Sequence, residues 1–164
     1  MEIVELERIA KKTRQDIARM FHRSGSGHFG GSFSCVEIVT FLYFEVMNIK
    51  VDDLAWTGRD RFIISKGHGA AAVYATLMQL GVIPKKWIEM YETLDANLST
   101  HPNHRKIPGF DMSAGSLGHG LSVGVGMAMA AKMDGASYNT YVLLGDGEQN
   151  EGAVWEAAMC AHKY

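Results

Sequence analysis

Residues 140–147 read Thr140-Tyr141-Val142-Leu143-Leu144-Gly145-Asp146-Gly147, and this stretch decides the fold. Its first five residues are β-branched, aromatic or aliphatic, the composition of a strand buried on both faces in a parallel sheet. Gly145-Asp146-Gly147 then stands at the carboxyl end, where open α/β sheets hold their ligands. An aspartate fixed there can offer its carboxylate to a divalent cation, and the glycines let a phosphate come close to the backbone. A tight turn with a helix-capping aspartate has the same spelling, so the tripeptide alone leaves both readings open.

Working outward, Leu117–Met133 reads as a helix dense in small residues, a surface that another backbone can approach closely. On the other side a last helix begins near Glu151, with Val154, Trp155, Ala158 and Met159 expected to point inward. Acidic residues at a helix start gain from its dipole; that reading is accepted for Glu148 and stays open for Glu151. Arg61–Ser65 is a second short apolar strand, and it runs into Ser65-Lys66-Gly67-His68-Gly69 and a helix over 69–80 that Gly81 ends. A strand end feeding a helix start suits an anion, with His68 as donor and the glycines giving access; a plain exposed turn is the alternative.

Apolar spacing predicts an amphipathic helix over 3–23, stopped by Ser24-Gly25-Ser26-Gly27. A second helix is expected from about Cys35 to Met47, with Ser34 as N-cap and Ile38, Val39, Phe41, Leu42 and Phe44 largely buried. A shorter helix follows with Pro84 in its first turn. Residues 95–116 lose periodicity and gather His, Pro, Asn and Gly, and a loop this long usually carries function. The expectation is an α/β domain over 1–164 with a mainly parallel sheet between helices. The last helix is followed by no further strand, so the sheet is expected to be incomplete at the C-terminal side.

Two motifs mislead. Gly25-Ser26-Gly27-His28-Phe29-Gly30 spells a dinucleotide fingerprint, but a polar amphipathic helix precedes it where a strand is required. His101-Pro102-Asn103-His104 has a metal-like spacing, but a proline sits between the histidines and no cysteine or carboxylate completes a set. His28 remains notable, since a turn does not call for histidine between glycines. The net charge of −2 gives no basic field for nucleic acid or an anionic membrane. Two distant cysteines point to a reducing cytoplasm, and no apolar run near the length of a membrane span is expected.

Four segments in unbroken order resemble the N-terminal half of transketolase: SGSGHFGGSFSCVEIVTFLY (24–43), DRFIISKGHGAAAVYATL (60–77), HPNHRKIPGFDMSAGSLGHGLSVGVGMAMA (101–130) and GDGEQNEGAVWEAA (145–158). The resemblance implies a three-layer αβα fold binding thiamine diphosphate and Mg2+ (or Ca2+ or Mn2+), and transfer of a two-carbon ketol unit from a ketose to an aldose. It makes Asp146 the metal ligand, Gly145 a further cofactor-binding residue, Gly147 and His68 diphosphate contacts, and Gly115 and Leu117 contacts of the aminopyrimidine. His28, His68 and His101 match histidines that bind sugar hydroxyls and move protons, a task suited to a group titrating near neutrality. Glu151 matches a carboxylate linking the two cofactor sites of a dimer.

The resemblance also implies a metal-completing asparagine and a pyrimidine-binding C-terminal subunit or domain outside these residues, in a homodimer or heterotetramer acting on sugar phosphates. Phe29 stands where the family often has proline and His119 where it often has glutamine. The competing expectations are a 1-deoxyxylulose-5-phosphate synthase, a sulfosugar transketolase and a chain that serves assembly without catalysis. Residues 101–120 favour transketolase over the synthase.

Overall fold

A computed structural model describes every residue, Met1–Tyr164. Helix α1 (Ile3–Ser24) ends where Gly25 takes the left-handed conformation at φ 70°, which a side chain would disfavour. Its buried stripe includes Ile9, Thr13, Ile17 and Met20, the spacing of one helical face, and packs on helices further along the chain.

The helix expected over 35–47 begins earlier and is broken. Helix α2 (Phe29–Phe33) starts directly after His28, helix α3 (Val36–Phe41) follows, and a π-helical turn (Leu42–Val46) completes the stretch. Ser34 closes the C-terminal end of α2 and is not the N-cap of the next helix, a place taken by Cys35. Cys35, Val36, Val39, Thr40, Tyr43 and Met47 are buried, while Ile38 and Phe41 are exposed. Composition alone marks the whole segment apolar; the 3.6-residue period lets one face reach the core. Phe29–Val46 is also, by length and composition, apolar enough to cross a membrane, contrary to the expectation that no such run exists. Here its inner face packs against α1 and the next helix.

Strand β1 (Arg61–Ile64) leads through a 3-10 turn (Gly67–Gly69) into helix α4 (Ala70–Gln79), which is buried on almost every side. Gly81, at φ 80°, ends this unit, and a 3-10 helix over Lys85–Met90 follows Pro84. No helix or strand interrupts residues 91–118. Helix α5 (His119–Asp134), strand β2 (Thr140–Leu143), a 3-10 turn (Gly147–Asn150) and helix α6 (Gly152–Lys163) complete the order.

The two strands pair in parallel, Arg61 with Thr140 through Ile64 with Leu143, so both carboxyl ends lie at one edge. Period-2 alternation sorts the side chains into layers. Phe62, Ile64, Tyr141 and Leu143 join the core made with α1, α3 and α4. Ile63 and Val142 face the other way, against Gly124 of α5. The fold is thus α/β with helices on both faces, an αβα arrangement around a short parallel sheet. The four residues of β2 are half-buried, less than the expected burial on both faces, because β1 is its only partner strand.

Two polar ties hold the amino ends of the strands. Asp60 accepts from the backbone N–H groups of Asn48 at 2.8 Å and Asn139 at 2.6 Å. Asp111 receives Arg59 Nη1 at 3.0 Å and the Phe62 N–H at 2.9 Å, which pins the long loop to the start of β1. The inward aim expected for α6 is corrected: Val154 and Ala157 are buried, whereas Trp155 is 61% exposed and Met159 66%. Helix α6 packs on α5 and the preceding turn, which cover a narrow stripe only.

Candidate functional site

Parallel pairing sets the turn after β1 beside the turn after β2, and a cleft of about 640 Å³ opens between them. Its walls are Gly30, Gly31 and Ser34 from the first short helix, Lys66 and His68, Leu117, and the run Leu143–Glu148. The expected cofactor residues His68, Leu117, Gly145, Asp146 and Gly147 therefore share one cavity.

Asp146 is exposed in this cleft, and its carboxylate makes no hydrogen bond or ion pair. A Cβ built on Gly147 would meet nothing within 4 Å, so the turn is open on its ligand side. No group of three or more His, Cys, Asp or Glu converges anywhere in the chain to hold a metal by itself. One free carboxylate on a rigid strand end suits a Mg2+ ion whose other ligands are phosphate oxygens, waters and a few further protein oxygens.

Lys66 is the residue that the sequence reading missed. Its ammonium is drawn into the wall, the residue being 7% exposed, and donates to the Gly31 carbonyl at 2.7 Å and Ser34 Oγ at 3.0 Å. No carboxylate pairs with it. A buried charge without a counter-charge is costly, so an anion in the cleft is its natural partner. The signal was present: a lysine directly before Gly-His-Gly at a strand's carboxyl end. Beside it, burial pushes the Cys35 thiol up despite the attraction of Lys66, so this cysteine is no thiolate nucleophile.

Of the three predicted histidines His68 lines the cleft, while His28 and His101 lie near His68 outside the lining. His28 and His68 stand with ring centroids 5.5 Å apart, and the backbone of Gly31 runs so close that a Cβ there would lie 2.6 Å from His68 Cδ2. His68 is pushed below the usual imidazole range first by burial, then by the nearby positive charges of His28, Lys66 and His101. His101 borders Gly115, whose would-be Cβ lies 3.7 Å from the His101 ring. Gly115 belongs to a segment pressed against Gly67, where any side chain would strike the Ala114 carbonyl at 2.8 Å. Glu151 is outside the cleft lining; its Cβ packs against Gly118 at the start of α5.

The dipole reading of Glu148 is corrected. It is 3% exposed, and its carboxylate accepts the hydroxyl proton of Ser65, the Gly118 N–H at 2.9 Å and the Gly145 N–H at 2.8 Å. Ser65 Oγ in turn accepts the Gly120 N–H at 3.1 Å. The local sequence could not show this, since Ser65 and Gly118 come from segments far from Glu148 in the chain.

Residues 6–164 match the family model described as transketolase, thiamine diphosphate-binding domain. The chain is 46% identical over 164 residues to one subunit of the apulose-4-phosphate transketolase of Phocaeicola vulgatus, covering all of this chain and 58% of that protein. It is 44% identical over 156 residues to a 6-deoxy-6-sulfo-D-fructose transketolase subunit of a Clostridium species, covering 93% of this chain and 54% of that one. Among solved structures, transketolase from Campylobacter jejuni superposes with a TM-score of 0.90 at 28% identity, over 98% of this chain and 26% of that one. The chain thus spans little more than half the length of these two curated relatives.

Proposed function

Because this chain belongs to the transketolase family, as its thiamine diphosphate-binding domain, we propose that residues 1–164 form one domain supplying the diphosphate and metal side of a ketol-transfer site. The observation that carries this is the free Asp146 carboxylate and open Gly147 sharing one cleft with a buried Lys66 that no carboxylate pairs. In this reading Asp146 holds the Mg2+, while Gly145, Gly147, His68 and Lys66 hold the diphosphate. Leu117 and Gly115 bound the aminopyrimidine. When bound, the cofactor supplies the electron sink for cleaving and forming the carbon–carbon bond next to a carbonyl.

The protein's own part is to bind, orient and move protons. Two-carbon transfer requires a proton to leave a hydroxyl of the donor and another to reach the new hydroxyl of the acceptor. His68 lines the cleft with His28 and His101 near it, and a His68 that resists protonation is available as a base at neutral pH. The pyrimidine-binding partner, subunit or domain, completes the site, and Glu151 belongs to the contact between cofactor sites of an assembly. A cytoplasmic setting is part of the same proposal.

Both curated relatives described above are named as subunits of sugar-specific transketolases, which favours a split enzyme and a specialised sugar phosphate or sulfosugar over a general pentose phosphate role. The test is calorimetric titration of thiamine diphosphate with Mg2+ into the complete enzyme containing this chain, with Asp146→Ala alongside, then assay on a ketose and aldose panel. Metal-dependent binding lost in Asp146→Ala, and ketol transfer without pyruvate decarboxylation, is the expected result. Pyruvate decarboxylation would instead indicate a synthase of the 1-deoxyxylulose-5-phosphate type. Metal-dependent cofactor binding unchanged in Asp146→Ala would remove the assignment.

A further inference from the structure

Three segments that carry the cleft converge on one buried carboxylate. They are the turn after β1, the start of α5 and the turn after β2, and Glu148 joins them through Ser65, Gly118 and Gly145. All three partners are donors, and the Ser65 hydroxyl is itself oriented by the Gly120 N–H donating to its oxygen. Oε1 therefore serves two donors and Oε2 the third, an arrangement only a carboxylate fills. The residue lines the cleft with both oxygens already engaged, so it is not free to ligate a ligand there.

We infer that Glu148 is a positioning residue for the cofactor cleft: it fixes the Gly145–Gly147 turn against the Lys66–His68 turn and the Leu117 segment. This rests on the function proposed above and adds a residue to it. The chain between Gly145 and Glu148 is short and glycine-rich, so the turn bearing Asp146 has no side-chain packing of its own to define it. The Ser65 and Gly118 bonds to Oε1 tie the end of that turn to the two neighbouring segments, and the Gly145 N–H bond to Oε2 closes its start onto the same carboxylate. A glutamine keeps shape and volume but replaces one acceptor with an amide donor. Its oxygen retains Ser65 and Gly118, the pair of donors, and its amide then opposes the Gly145 N–H.

The test compares Glu148→Gln and Ser65→Ala with the unaltered protein in the complete enzyme, reading thiamine diphosphate affinity with Mg2+, the KM-against-kcat split and thermal unfolding. For Glu148→Gln the apparent KM for cofactor should rise about tenfold or more, with a smaller fall in kcat at saturating cofactor. A cofactor KM unchanged in Glu148→Gln, or a loss confined to kcat, would overturn the inference. Failure of the unaltered enzyme to bind cofactor would instead overturn the functional reading on which it rests. Should both variants fail to fold, amide exchange in the unaltered, cofactor-free protein decides: protected Gly118 and Gly145 N–H groups support the tether, and fast exchange at both refutes it.

Discussion

The ring of His28 sits 5.5 Å from that of His68, centroid to centroid, and this neighbour helps burial keep the His68 imidazole neutral. A cationic His68 would face the positive charge of Lys66 within the same wall. The folded protein therefore disfavours protonation at this position. Its stability is unaffected above the ordinary value of 6.5 and declines as pH falls through 6.5 toward the lower folded value. NMR titration should show a His68 midpoint below 6.5, and Lys66→Met should move it upward. A midpoint at or above 6.5 in the unaltered protein would contradict the burial and charge argument.

Lys66→Met also tests the anion role directly. A charge-assisted hydrogen bond contributes roughly 1.5–3 kcal/mol, so affinity for inorganic pyrophosphate or thiamine diphosphate should fall about 10- to 100-fold. Affinity should also lose part of its salt dependence. Equal affinity in the variant and the parent, measured by calorimetry, would take Lys66 out of the site.

The ion pair of Arg59 and Asp111 is nearly sealed from solvent, with side chains 12% and 6% exposed. Asp111→Ala strands the guanidinium and also orphans the Phe62 N–H. Breaking a buried pair costs about 3–5 kcal/mol, and urea unfolding should show a loss in that range. The variant should also loosen the loop over 95–116, visible as faster amide exchange there.

Glycines along α5 should separate by position. Gly124 lies on Val142, so Gly124→Ala forces a methyl into packed strand and should destabilise by about 1–3 kcal/mol. Gly126, further round the helix, meets nothing within 4 Å. Gly126→Ala should stabilise by about 1 kcal/mol through helix propensity alone. Thermal unfolding of the two variants should shift in opposite directions; shifts of the same sign would refute the packing of α5 on the sheet.

Much of the fold was legible because it follows from periods the sequence displays. The apolar run at 140–144 and the glycine at 145 place β2 and its turn; the α1 stripe ends at the glycine that stops it. Of the small residues of α5, Gly120 and Gly124 form the face that lets the helix lie against Ser65 and Val142, while Ser122, Gly126, Ala128 and Ala130 are exposed. What was not legible depends on contacts across the chain. Trp155 was expected inside from its type, but α6 has too few neighbours to cover it. Lys66 carried no assigned role, because the Gly31 carbonyl and Ser34 hydroxyl that hold its ammonium come from a segment more than 30 residues away. Glu148 followed a local rule for helix starts and is instead held by two remote donors, Ser65 and Gly118, together with the nearby Gly145, and no window of sequence contains the first two.

The bond from the Asn139 N–H to Asp60 spans 79 residues of chain, and the pairing of the two strands beside it closes a loop of similar length. Closing such a loop costs about 4 kcal/mol in chain entropy before any contact is gained. The backbone hydrogen bonds of helices such as α1 and α4 close between near neighbours, whereas the cleft cannot exist until β2 docks beside β1. Kinetically, then, the two halves of the binding wall arrive together and late, with no half-made version of the pocket for a ligand to grasp. A ligand held there acts on the folding equilibrium of the entire chain, raising the melting temperature as a whole where a ligand of a local loop would quiet that loop alone.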